Sequence, residues 1–143
     1  MPAEPAAPRC HALLPCAGSG SRAGGAQAKQ YQPVAGRPLV HHTLAALSSV
    51  PRLARILVVV APGDGALRGA EGRWECIDCG GATRAASGFI GLALLLATGV
   101  PETDWVLVHD AARCLVTPAL VDALIDACLP DAVGGLLALP LPD

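Results

Sequence analysis

Aromatic side chains are scarce in this sequence: two Trp, one Tyr and one Phe make up 3% of 143 residues. Platforms for stacking nucleic-acid bases are therefore few. No Lys/Arg cluster supplies a basic footprint either, so neither nucleic acid nor a membrane surface is an expected partner. Long hydrophobic runs are also missing. The longest, Phe89 to Val100, is twelve residues and is interrupted by Gly91, Thr98 and Gly99, whereas a bilayer span needs about twenty. The start lacks the basic flank and apolar run of a signal peptide, since Met1 to Arg9 holds three prolines and a glutamate. A cytoplasmic location is expected on these grounds. Charged residues are only 15% against 52% hydrophobic, which excludes a disordered chain and leaves enough apolar material for one domain core.

Lysine is nearly absent: Lys29 is the single one, against nine arginines. The charge is also unevenly spread. Up to Gly63 there are six basic residues and one acid, and from Asp64 onward four arginines and eleven acids. That asymmetry points to an anion site built mainly from the first part. The six cysteines are expected to be small buried hydrophobes rather than a disulfide framework. Cys76 and Cys79 have the C-x-x-C spacing of metal and redox sites. No second pair follows, and an extended segment would send the two thiols to opposite faces.

Residues 1–9 read as a disordered Pro/Ala tail. The apolar run His11 to Pro15 flows into Cys16-Ala17-Gly18-Ser19-Gly20-Ser21-Arg22, the pattern of a buried parallel strand ending in a ligand loop. Further strands are predicted over 55–61, 74–78, 105–110 and 133–139. Helices are predicted over 39–47, behind Pro38, over 83–97, with Phe89, Leu92 and Leu96 on one side, and after Thr117-Pro118, with Leu120, Leu124 and Cys128 as its stripe. Alternating strands and helices give an α/β fold with a mainly parallel sheet. Ligands in such sheets sit beyond the carboxyl ends of the strands, which selects the loops 16–31, 61–65, 79–87 and 110–114.

Two readings compete for the first loop. Gly18-x-Gly20-x-x-Ala23 fits the relaxed dinucleotide fingerprint, but the acid required about twenty residues later is missing, the first being Asp64. A Gly-Lys-Ser/Thr element is also absent, which removes the Walker A loop. The second reading is a loop whose backbone N–H groups wrap a nucleoside triphosphate, with Lys29 as a compact cation over the phosphates. At the end of a later strand, Asp110 within His109-Asp110-Ala111-Ala112-Arg113 suits a magnesium ligand beside a nucleotide. His109 is expected to point away from it, and His11, His41 and His42 carry no metal-like pattern.

Several segments together resemble the 2-C-methyl-D-erythritol 4-phosphate cytidylyltransferase family. They are Leu14 to Arg22, Lys29-Gln30-Tyr31, Gly80-Gly81-Ala82-Thr83-Arg84, Ser87, Gly91-Leu92 and Val108 to Arg113, in the family's order and at similar spacing. The resemblance implies a Rossmann-like nucleotidyltransferase fold with helices on both faces of the sheet. It implies cytidylyl transfer from CTP to 2-C-methyl-D-erythritol 4-phosphate, with release of pyrophosphate. Arg22 and Lys29 match the catalytic cations, and Asp110 matches the carboxylate that holds Mg²⁺. Pro15, Cys16, Ala17, Gly18, Gly20, Gly81, Ser87 and Ala111 match nucleotide-contacting positions. Ribitol-5-phosphate cytidylyltransferases carry similar motifs, so another polyol phosphate is the alternative acceptor. Cys16, Ala28, Gly88 and Cys114 depart from the family's usual Ala, Pro, Val and Pro. The family also continues past Asp143 into a region with sugar-phosphate and dimer contacts, so 10–143 reads as the nucleotide-binding part of such a domain. A truncated form without activity is the other alternative.

Overall fold

The computed structural model describes residues 6–19 and 27–142. Its centre is a four-stranded sheet built from β1 (Cys10–Cys16), β4 (Leu53–Val60), β5 (Glu75–Ile77) and β6 (Trp105–Val108), in the order β5-β4-β1-β6 and parallel throughout. A two-residue pair, β2 (Pro33–Val34) and β3 (Arg37–Pro38), is antiparallel and precedes α1 (Leu39–Ser48). The remaining helices are α2 (Arg84–Ala97) and α3 (Pro118–Cys128).

Both faces of the sheet are covered because β1 and β4 are apolar on both sides. Ala12, Leu14, Ile56 and Val58 point to one face, where Val40, Leu44 and Leu47 of α1 and Val121 and Ile125 of α3 pack. Leu13, Leu57 and Val59 point to the other and meet Leu95 of α2 and Val100. This is the near-continuous hydrophobic strand pattern of a parallel sheet sandwiched between helices, as expected from the sequence.

Three expectations are corrected. The side of α2 turned to the sheet is Ser87, Gly91 and Leu95, while Phe89, Leu92 and Leu96 are exposed, Phe89 at 74%. A β-carbon at Gly91 would collide with Leu13 Cδ1, so the helix lies against β1 through its smallest side chains and turns the bulky stripe outward. On α3 the buried pair is Val121 and Ile125, whereas Leu120 is 45% exposed and Leu124 and Cys128 are half-buried. Finally, the 133–139 segment forms no strand. It pairs with no neighbour among the described residues, and Val133, Leu136 and Leu139 are exposed. An alternating apolar segment becomes a strand only when a ladder satisfies its backbone. Here Asp131 Oδ1 instead accepts the N–H groups of Val133 and Gly134 and turns the chain beside Trp105.

All six cysteines are free thiols. Cys76 is exposed on the edge strand β5 and Cys79 packs against the α2-side core. No group of three or more metal-ligating side chains occurs among the described residues. Among the described residues, no helix is long and apolar enough to cross a membrane.

Candidate functional site

Strand β1 is central, and the chain moves to one side of it through β4 and to the other through β6. The order reverses between β1 and β6, and in open parallel sheets the crevice beyond the carboxyl ends at that point receives the ligand. Residues 16–19, which follow β1, and residues 109–113, which follow β6, therefore flank the candidate site.

Pro15 and Cys16 end β1, and Ala17 and Gly18 begin the loop. Cys16 is buried, and burial pushes its thiol up to about 12, with its S–H facing the Tyr31 hydroxyl oxygen 4.0 Å away. It stays protonated near neutral pH and acts as a small core residue. Gln30, buried in the single turn Lys29–Tyr31, donates from Nε2 to the carbonyls of Cys16 at 3.1 Å and Gly18 at 2.8 Å. One side chain thus satisfies two carbonyls of the loop, leaving no strand ladder necessary there. Lys29, at the start of the same turn, is exposed and has no ion-pair partner among the described residues. Gly20 and Arg22 lie outside the described residues.

The loop before α2 closes on the first loop from the other side. Gly80 N–H donates to the Val60 carbonyl at 2.8 Å, and a β-carbon at Gly80 would strike Ala17 Cβ and sit 2.7 Å from the Val60 oxygen. Only glycine permits that approach. Gly81 N–H donates to Ser87 Oγ at 3.1 Å, and Thr83 caps α2 by accepting from Ala86 N–H at 3.0 Å. Ser87 is buried and turned to this internal bond, so it shapes the loop at Gly81.

Beyond β6, Asp110 stands between two guanidinium groups. Arg84 Nε, in the first turn of α2, lies 2.5 Å from Oδ1, and Arg113 Nε lies 2.8 Å from Oδ2. Partial burial alone would raise the Asp110 pKa, but the hydrogen bonds from Arg113 and Arg84 and their charges outweigh it and hold the carboxyl below its usual range. Ala111 is buried, and its carbonyl accepts the Thr43 hydroxyl of α1 at 2.8 Å. His109 Nε2 donates to the Arg113 carbonyl at 3.0 Å. A groove of about 680 Å³ runs from Arg84, Asp110 and Arg113 along β6 and α3. Its far end is apolar.

The structure therefore ties Cys16 and Gly18 to the turn that begins at Lys29 through Gln30, brings Ala17 against Gly80 beside the Gly81–Ser87 bond, and sets Asp110 and Ala111 at the neighbouring strand end. It adds Arg84 and Gln30, which motif matching passed over as flanking residues. Thr43 lies 68 positions from Ala111, and no local signal could have connected them.

The family model for 2-C-methyl-D-erythritol 4-phosphate cytidylyltransferase (IspD) matches residues 10–143. Over 146 residues the chain is 58% identical to the bifunctional enzyme IspD/IspF of Albidiferax ferrireducens, covering 100% of this chain and 35% of that protein. Over 138 residues it is 50% identical to the 2-C-methyl-D-erythritol 4-phosphate cytidylyltransferase of Paraburkholderia phymatum, covering 94% of this chain and 58% of that one. A crystal structure of 4-diphosphocytidyl-2C-methyl-D-erythritol synthase superimposes with a TM-score of 0.81 at 33% identity, over 95% of this chain and 62% of that chain. The chain thus spans less than two thirds of the length of each of these relatives. With its parallel sheet, its loops and its motifs agreeing with that match, the chain belongs to the 2-C-methyl-D-erythritol 4-phosphate cytidylyltransferase family.

Proposed function

We propose that this chain forms the nucleotide half of a cytidylyltransferase that transfers CMP from CTP to 2-C-methyl-D-erythritol 4-phosphate. The observation that carries this reading is the convergence at the sheet's switch point. There the loop buttressed by Gln30 meets the α2 loop at Gly80, with Asp110 flanked by Arg84 and Arg113 at the next strand end.

In the proposed reaction the acceptor's phosphate oxygen attacks the α-phosphorus of CTP. The new P–O bond forms as the bond to pyrophosphate breaks, and the electron pair leaves with pyrophosphate. A phosphate oxygen is already ionised near neutral pH, so the chain needs no general base and no protein nucleophile. Its task is to place and neutralise charge. Lys29, exposed and without an ion-pair partner among the described residues, is the cation for the triphosphate, and Arg22 is assigned the same role from the family match. Arg84 and Arg113 retain further N–H donors beyond those given to Asp110, and these suit phosphate oxygens. Asp110 would be the residue to hold Mg²⁺: each of its oxygens accepts one guanidinium N–H and keeps a second lone pair, and Mg²⁺ characteristically takes one or two carboxylates plus phosphate oxygens. When bound, that ion offsets charge on the triphosphate. We assign Pro15 to Gly18, Gly20, Gly81 and Ala111 to the nucleotide side, with Ser87 acting through Gly81. The family's setting also makes a cytoplasmic enzyme the reading for the whole protein.

The test is pyrophosphate release from CTP and Mg²⁺ with 2-C-methyl-D-erythritol 4-phosphate or with ribitol 5-phosphate, in the protein that carries this chain. Turnover with the first and a loss on the order of 10²-fold or more in Lys29→Ala are expected. Turnover with ribitol 5-phosphate alone would reassign the acceptor. Normal turnover in Lys29→Ala would remove Lys29 from the mechanism.

A further inference from the structure

The turn that carries Lys29 is tied down at two points. Gln30 binds inward to the loop after β1. Tyr31 binds sideways: its hydroxyl donates to Asp64 Oδ2 at 2.6 Å. The Asp64 carboxylate is already oriented when it receives that bond. Asp64 N–H donates to the Ala61 carbonyl at 2.9 Å, and Asp64 Oδ1 accepts from Ala66 N–H at 2.9 Å. Both carboxylate oxygens are thus acceptors in a turn that follows directly from β4. Burial and the Asp64 carboxylate push the Tyr31 hydroxyl pKa up, which keeps the hydroxyl a donor. The same oxygen lies 4.0 Å from Cys16 Sγ, the last residue of β1. The loop after β4 is among the four that the sheet directs toward the site, yet none of its side chains has a role in the reaction proposed above.

We propose that Asp64 is a positioning residue: through the Tyr31 hydroxyl it locks the 29–31 turn against the end of β1 and so fixes Lys29 for the nucleotide. The inference rests on the reading of Lys29 as a phosphate-binding cation. Asp64 itself touches no substrate. Its effect passes through Tyr31 to the backbone that carries Lys29.

Two measurements on this chain test it, using Tyr31→Phe, Asp64→Ala, their combination, and Asp64→Asn. The last keeps a hydrogen bond, because its amide N–H can donate to the Tyr31 oxygen while its amide oxygen accepts from Ala66. The first measurement is amide hydrogen exchange without nucleotide. Tyr31 N–H bonds to the Ala28 carbonyl and Gln32 N–H to the Lys29 carbonyl. Both should exchange about tenfold faster in Tyr31→Phe and Asp64→Ala, with β4 amides unchanged and Asp64→Asn close to the parent. Unchanged exchange at these two amides would overturn the proposal.

The second measurement is the affinity for CTP with Mg²⁺. Tyr31→Phe and Asp64→Ala should each weaken it about tenfold, as expected for losing a hydrogen bond to a charged group, while Asp64→Asn stays close to the parent. The combined variant should weaken it no further, because both singles break one connection. In a Lys29→Gln background, Asp64→Ala should add nothing. An equal loss in that background would make Asp64 a general structural residue and overturn the positioning role. Accelerated exchange in the variants of a parent chain that binds no CTP would establish the lock on the Lys29 turn and reject the nucleotide reading.

Discussion

Gln30 shows how much of the site depends on one uncharged side chain. It is buried, and its amide nitrogen is the donor for two carbonyls, those of Cys16 and Gly18, as they leave the sheet. Gln30→Ala would leave both without that partner. Loss of such bonds costs about 1–3 kcal/mol when the remaining groups stay buried, and urea denaturation should show a destabilisation in that range. CTP affinity should fall with it, because the loop is no longer held. Gln30→Glu should not restore either property, since an ionised carboxylate has no N–H to give. These residues were only half legible in the sequence. Lys29 was conspicuous as the sole lysine, and Asp110 as an acid closing an apolar strand. Gln30 and Arg84 sat inside matched segments but gave no chemical signal, because their work is hydrogen bonding to groups that folding alone brings near.

At the level of elements, α2 decides how the sheet is covered. Its sequence is apolar almost all round, with Phe89, Ile90, Leu92, Leu94, Leu95 and Leu96 within two turns. Periodicity therefore could not choose between its faces. Close approach did, by placing Gly91 on Leu13 and leaving the larger side chains outside. Leu95→Ala should cost about 2–5 kcal/mol, because it empties a buried position against Leu13 and Leu57. Phe89→Ala, at a position 74% exposed, should change stability by about 0.5 kcal/mol or less. Equal effects in thermal unfolding would show that the helix is rotated from the orientation described. The helix starts were easier to read than the faces. Thr117 caps α3 as the sequence indicates, and Thr83, read there as the first residue of the 83–97 helix, turns out to cap α2 in the same way, each accepting the N–H three residues on. Capping depends on local chemistry, whereas burial depends on the partner surface. The 133–139 segment failed for the same reason: its alternation is local, but the ladder it would need is not.

For the whole molecule, acid should be the destabilising direction. Glu75 is held below its usual pKa chiefly by the hydrogen bond from Arg55. At Asp110 and Asp104, burial works upward but is outweighed. Arg113 and Arg84 do so at Asp110, and His11 with the Arg9 backbone at Asp104. A carboxylate with a lowered folded-state pKa contributes stability that is present above its unfolded-state value and lost as pH falls through the folded one. Unfolding measured against pH should therefore show a plateau above about pH 5 and a decline below about pH 4. Asp110→Asn and Glu75→Gln should each make that decline shallower. A profile unaltered by both substitutions would mean that these pairs do not persist in solution.

The fold was legible at this scale because β1 and β4 are continuous apolar strands, and their register with β6 puts the motif-bearing loops at one end of the sheet. The central claim is that these loops form a pocket for a pyrimidine nucleotide. Calorimetric titration of this chain with CTP and, separately, with ATP, both in Mg²⁺, tests it most directly. Saturable binding of CTP, weaker or absent binding of ATP, and loss of the CTP signal in Lys29→Ala are the predicted results. A folded chain that takes up neither nucleotide, or binds both alike whether or not Lys29 is present, would contradict the account.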